Sequence, residues 1–126
     1  MELNLTPREL DIMAVLWRRG SATVAEVRDA FPNDLAYTTI LSVLRTLEGK
    51  GFVRHVTVGK AHRFVPIVAQ DAAGRHILGQ VLDKVFQGSA EMLLTQLVTD
   101  RRVDKKKLRR LRDMLDERLG EGGTAK

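Results

Sequence analysis

The 126-residue sequence has no cysteine. That excludes disulfides, thiolate metal sites and cysteine nucleophiles together. Its longest uninterrupted apolar run, Ile12 to Trp17, is far too short to cross a bilayer, so no membrane insertion is expected. The N-terminus lacks a basic stretch followed by an apolar core; no signal peptide is expected, and a cytoplasmic location is. Histidine is scarce, with His55, His62 and His76 only. His55 and His62 could approach across a hairpin, but two ligands make no closed metal site. Neither metal nor cofactor is expected. The ten glycines form no phosphate-binding loop. Ser42, Ser89 and the threonines stand in no Ser/His/Asp arrangement, so catalysis is not expected. There is no internal repeat.

What is present is a chain that can fold. Apolar residues make up 44% of it, too many for a wholly disordered protein. Its length suits one ordinary domain or two very small ones. The formal charge is +5, with 9 basic against 7 acidic side chains in residues 1–68 and 12 against 9 in residues 69–126. This excess permits a polyanionic partner without demanding one.

Two helix starts are written into the first thirty residues. Thr6, Pro7 and Glu9 supply an N-cap, a first-turn proline and the third residue of a capping box; Gly20 closes the helix. Leu10, Met13 and Trp17 share one face. Thr23 and Glu26 repeat the capping box ahead of a stripe of Val24, Val27 and Phe31, and Pro32 stops that helix. "NDLA" connects to the third helix, which Gly51 ends. At 100° per residue, Ile40, Leu41, Leu44 and Leu47 gather with Tyr37 in one arc. Thr38, Thr39, Ser42, Arg45 and Thr46 lie outside it. This polar face consists of short hydroxyls and one arginine, not the Glu/Lys mixture usual on solvated helices. "FVRHVTVGKAHRFVP" then reads as a β-hairpin folded about Gly59-Lys60 and ended by Pro66.

After a hinge at Ile67 to Gln70, the rest is expected to be helical. Ile77, Leu78, Val81, Leu82, Val85 and Phe86 cover about 180° of one helix, against the roughly 100° that a singly buried helix needs. Ser89 caps a helix with Leu93, Leu94, Leu97 and Val98 as its stripe. Asp104 caps another with Leu108, Leu111, Leu115 and Leu119. The basic run "RRVDKKKLRRLR" is expected to be the solvated face of that last helix, the alternative being extra contact with phosphate or an acidic partner, and "GEGGTAK" is expected to fray.

The fold class expected is therefore mainly α with a small β-hairpin. Residues 1–68 form an N-terminal winged helix-turn-helix domain, and residues 69–126 a helical dimerisation domain. Three helices and a hairpin place the third helix where such folds enter a DNA major groove. Short hydroxyls allow close approach to phosphates and base edges, and Arg45 reaches phosphate or guanine. The wing offers Lys60 at its tip, with Arg63 and Arg54 on its strands. A second reading is a winged-helix module that docks on protein and never reads DNA.

"LTPRELDIMAVLW", "ATVAEV", "AYTTILSVLRTLEGKGFVRH" and "GKAHRFVP" resemble the BlaI/MecI family of penicillinase repressors, from about Leu5 to Pro66. The tail resembles that family's dimerisation region more loosely. The resemblance implies a homodimeric transcriptional repressor on double-stranded DNA. Its operator would be dyad-symmetric, commonly with a TACA/TGTA core, and its role an antibiotic response. It also implies a membrane sensor protease as partner, relieving repression by a cut at an Asn-Phe pair. The counterpart of that pair here is Gln96-Leu97, a departure from the family. The copper-responsive branch carries a C-terminal cysteine motif, which this chain lacks. His62 and Phe64 lie where the family has hydrophobic aromatics, so the resemblance implies that His62 is a packed wing histidine.

Overall fold

A computed structural model of the chain describes residues 4–31 and 35–124, with side chains as far as Gly120. Pro32, expected to stop the second helix, lies outside the described residues, as do Asn33 and Asp34 of the connection. The elements run α1 (Pro7–Arg19), β1 (Ala22–Thr23), α2 (Val24–Asp29), α3 (Tyr37–Gly49), β2 (Val53–Val58), β3 (Ala61–Pro66), α4 (Gln70–Lys84), α5 (Ala90–Thr99) and α6 (Lys105–Thr124). This is the mainly helical chain with a small antiparallel sheet that the sequence predicts. The chain divides into two compact units, Met1–Leu78 and Gly79–Lys126.

The first unit begins with the two capping boxes. In α1 the Thr6 side chain accepts from the Glu9 N–H at 3.2 Å, and Glu9 accepts from the Thr6 N–H at 2.8 Å. Thr23 and Glu26 repeat this at the start of α2. Gly20 ends α1 at φ +87°, a left-handed value glycine adopts without a Cβ penalty. The face α1 buries is Ile12, Met13, Val15 and Leu16; of the expected stripe of Leu10, Met13 and Trp17, only Met13 is fully buried. Leu10 and Trp17 flank the buried face, because an apolar run leaves the choice of inner face to the partners packed on it. Val24 and Val27 of α2, Ile40, Leu44 and Leu47 of α3, and Phe52, Val53 and Phe64 complete the core.

The hairpin turns at Gly59-Lys60, as expected, with Val58 opposite Ala61. Gly59 takes φ +63°, which only glycine adopts cheaply there. A third strand was not expected. β1 pairs antiparallel with β3, Ala22 opposite Phe64, so the sheet order is β1-β3-β2. Two residues are too few to show a period of two, and β1 exists only because β3 offers it an edge.

The segment expected to be a hinge is tied down. The Ile67 N–H donates to the Phe52 carbonyl at 2.8 Å, and the Trp17 indole N–H donates to the Val68 carbonyl at 2.8 Å. The buried Ala73 carries the start of α4 into the same core.

In the second unit α4 stops at Lys84, not Phe86 as expected. Val85 and Phe86 lie in the turn that follows, with Gln87 at φ +48° and Gly88 at φ +80°. Two left-handed residues in succession end a helix. The expected 180° arc therefore narrows to about 140° over Ile77, Leu78, Val81 and Leu82. Ser89 caps α5 by accepting from the Met92 N–H at 3.1 Å, and Asp104 caps α6 by accepting from the Lys107 N–H at 2.9 Å. Between them Arg102 donates to Asp100, and these hydrogen bonds hold the Asp100 carboxyl down to about 2. The α6 backbone stays helical to Thr124, through glycines whose low propensity predicted fraying from residue 120.

One ion pair joins α1 to the end of α3. Lys50 Nζ donates to both oxygens of the buried Glu9 carboxylate, at 2.8 and 3.0 Å, and to the Asn4 carbonyl at 3.0 Å. Burial pushes the Glu9 carboxyl up, but hydrogen bonds from Lys50 and Thr6 outweigh it and hold it below its ordinary value. A depressed carboxyl contributes stability above its unfolded-state value and loses it as pH falls through the folded one. Lys50→Met should therefore cost about 1–3 kcal/mol in urea denaturation at pH 7, because Glu9 stays buried with its cation gone. The difference should shrink in acid, where Glu9 is protonated in both proteins. An equal loss at both pH values would show that the Lys50 stem, and not its charge, matters.

Candidate nucleic-acid interface

Burial of Ile40, Leu44 and Leu47 fixes which way α3 presents its remaining residues. Thr38, Thr39, Ser42, Arg45 and Thr46 are all exposed. The hydroxyls of Thr38, Thr39 and Ser42 make no hydrogen bond among the described residues. Thr46 donates its hydroxyl to the Ser42 carbonyl at 3.0 Å, which leaves its oxygen able to accept. Thr38, Leu41, Ser42, Arg45 and Thr46 line one shallow depression on this face. Among the described residues no side chain caps α3, in contrast to the full boxes of α1 and α2. First-turn N–H groups without a capping side chain, at the positive end of a helix dipole, suit an anion.

A second depression joins the wing to α3. It is lined by Thr23, Val24 and Ala25 from the start of α2, Tyr37, Leu41 and Arg45 from α3, and Lys60, Ala61 and His62 from the hairpin. Arg45 borders both depressions, and Lys60 meets it across the second. Neither cation has an ion-pair partner among the described residues.

The other two wing arginines stand elsewhere. Arg63 is turned to α2, with Nη1 2.9 Å from Glu26 Oε1 and donating to Ser21 Oγ at 3.2 Å. Glu26 also faces Arg19 at 3.5 Å. The Thr23 N–H, then Arg63 and Arg19, hold the Glu26 carboxyl below its ordinary value. Arg63 thus locks the sheet to α2 instead of facing outward. Arg54, opposite Val65 on β2, is exposed and lines neither depression.

Two residues of the wing-side depression were not among those singled out from the sequence. Tyr37, counted with the apolar arc, is 47% exposed. His62 was expected to be packed in the wing; it stacks on His55, their ring centroids 4.5 Å apart, yet it is exposed and borders Lys60. A hydroxyl-bearing ring at the first turn of α3 was the available signal for Tyr37. For His62 it was adjacency to the hairpin tip.

The expected dimerisation residues divide by exposure. Ile77, Val81, Leu82, Phe86, Leu108 and Leu111 are half-buried; Leu78, Val85, Leu94, Leu97 and Leu115 are exposed. Not one residue of α5 is buried.

The family model for the penicillinase repressor matches residues 5–117. The chain belongs to the penicillinase repressor family. It is 33% identical over 97 residues to "Transcriptional regulator BlaI" of Mycobacterium tuberculosis, in strains CDC 1551 and H37Rv, covering 71% of this chain and 68% of the relative. Its fold is like that of a MarR family protein from Bacillus stearothermophilus, with a TM-score of 0.51 at 18% identity over 95% of this chain and 76% of the other. As a member of the penicillinase repressor family, the protein is a DNA-binding transcriptional repressor. No described helix is long and apolar enough to cross a membrane.

Proposed function

We propose that the protein is a homodimeric repressor that reads a dyad-symmetric operator. The α3 helix enters the major groove, the hairpin tip lies on the DNA backbone, and residues from about 70 to 119 form the dimer interface. The observation that carries this reading is the exposed face of α3, where Arg45 and the hydroxyls of Thr38, Thr39 and Ser42 have no partner among the described residues, set by three buried residues on the opposite side. A face of this kind gains nothing from water that a longer charged side chain would not gain better. Against DNA its short side chains permit close approach, and Arg45 reaches a guanine edge or a phosphate.

Lys60 is the phosphate contact of the wing, with Arg54 a further candidate. Arg63 contributes at most indirectly, by holding the sheet against Glu26. The exposed apolar surface of α5, with Leu94 and Leu97 each more than two-fifths exposed, supports association with a second copy. A dimer doubles the contacts and reads two half-sites. The operator is proposed to be of the TACA/TGTA type implied by the family resemblance. Relief by a membrane sensor protease would cut at Gln96-Leu97, which lies within α5. A helical bond must unwind before a protease can cleave it, so this route requires α5 to open locally.

Three variants separate the roles on DNA. Arg45→Ala should cost about 1–3 kcal/mol on the operator and relax specificity at one position if it reads guanine. Lys60→Ala should weaken operator and random duplex alike and lower the slope of log affinity against log salt by about 1. Arg63→Gln should leave that slope unchanged while lowering thermal stability. If none of the three alters affinity or salt slope, the winged helix is a protein-docking module and not a DNA reader.

For the dimer, Leu94→Asp changes a residue already 44% exposed within one chain. It should leave the fold intact, shift sedimentation toward monomer and sharply weaken operator binding, because a buried unpaired charge is costly only at an interface. A Leu94→Asp protein that remains dimeric would remove α5 from the interface.

A further inference from the structure

The wing carries a histidine pair that the roles above do not use. The β2–β3 register sets His55 opposite Phe64 and His62 opposite Thr57, so both histidines stand on the same sheet face. Their rings stack with centroids 4.5 Å apart and planes 10° apart, and His55 also meets the Phe64 ring at 5.8 Å. His55 Nδ1 lies 2.7 Å from Glu48 Oε2, in the last turn of α3. The chain of contact runs from α3 through Glu48 to His55, and from His55 by stacking to His62. His55 has a fixed partner. The ring nitrogens of His62 have no hydrogen-bond partner among the described residues, and the ring lines the depression shared by Tyr37, Arg45 and Lys60.

Building on the DNA-binding reading above, we infer that His62 is a further phosphate-contacting group of the wing, and that it makes the contact as an imidazolium. A neutral imidazole has one N–H donor and no charge; the imidazolium has two donors and a full charge. Imidazole is the side chain that exchanges between these forms near neutral pH. A phosphate at the ring favours the charged form, so the complex holds more protons than the free protein and DNA. By linkage, affinity must then rise as pH falls. The charged and titratable groups around His62 divide into two sets. Arg45, Lys60 and the Tyr37 phenol line the depression, and His55 backed by Glu48 lies behind the ring. Guanidinium and alkylammonium groups in general do not exchange a proton near neutral pH, so a pH dependence there is the signature of an imidazole. The stack gives the contact its position: an isolated histidine near a hairpin tip would be free to swing, whereas His62 rests on a ring that α3 itself holds.

The test uses the full-length protein and a duplex selected by that protein from a random pool at pH 7. Affinity is measured at pH 6 and pH 8 at constant ionic strength. The wild type should bind at least about threefold tighter at pH 6, the change expected when each of the two wings takes up a fraction of a proton on binding. His62→Phe keeps a ring to stack on His55 but cannot take a proton. It should lose the gain at pH 6, so that its affinity changes little between pH 6 and pH 8. His62→Gln, with matched thermal unfolding as a check on folding, should behave likewise. Equal wild-type affinity at both pH values, or a pH dependence that survives in His62→Phe and His62→Gln, would overturn the inference while leaving the DNA-binding reading intact. Failure to select any duplex would overturn the DNA-binding reading, and the inference with it.

Discussion

Ile40, Leu44 and Leu47 are fully buried, and everything the outer face of α3 can do depends on that. A helix that reads base edges must be held in rotation about its own axis, since a turn of one residue moves each side chain by about 100°. Burying three large aliphatic side chains stabilises the orientation by roughly 1.5–3 kcal/mol each. The Glu9–Lys50 pair then clamps the far end of the helix to α1. Core packing fixes the rotation, and the ion pair fixes the end. The short hydroxyls can serve at close range only because the helix beneath them does not roll.

The wing obeys the same logic with different chemistry. Its base is hydrophobic, through Val53 and Phe64, and its flank is locked by Arg63 on Glu26. Glu26 therefore serves twice, closing the α2 capping box and receiving Arg63. Beyond these fixed points, Lys60 and His62 stand at the hairpin tip without a partner among the described residues. Charge in the molecule is sorted by position: Arg63 and Lys50 are consumed in holding the fold together, while Arg45 and Lys60 remain available.

Much of this was legible in the residues. Capping boxes are local, so Thr6 with Glu9 and Thr23 with Glu26 could be read directly. The two faces of α3 follow from helical spacing, and the hairpin from β-branched residues around Gly59-Lys60. What could not be read is non-local. Lys50 finds Glu9 across 41 positions, and Arg63 finds Glu26 across 37. No pattern in the sequence announces either pairing. For that reason Arg63 looked like one more wing cation. The strand β1 has only two residues and exists through its partner. The end of α4 was misplaced because Val85 and Phe86 continue its apolar spacing, and spacing alone does not reveal that Gln87 and Gly88 turn left-handed.

The claim at the centre of the proposed function is that two copies of α3, held by a shared C-terminal surface, read two related half-sites. Selection of duplexes from a random-sequence pool, followed by hydroxyl-radical footprinting of the enriched sequence, tests it most directly. The expected result is an inverted repeat whose protected half-sites lie about one helical turn, or a multiple of it, apart. A single non-repeated site, or no enriched sequence at all, would contradict it.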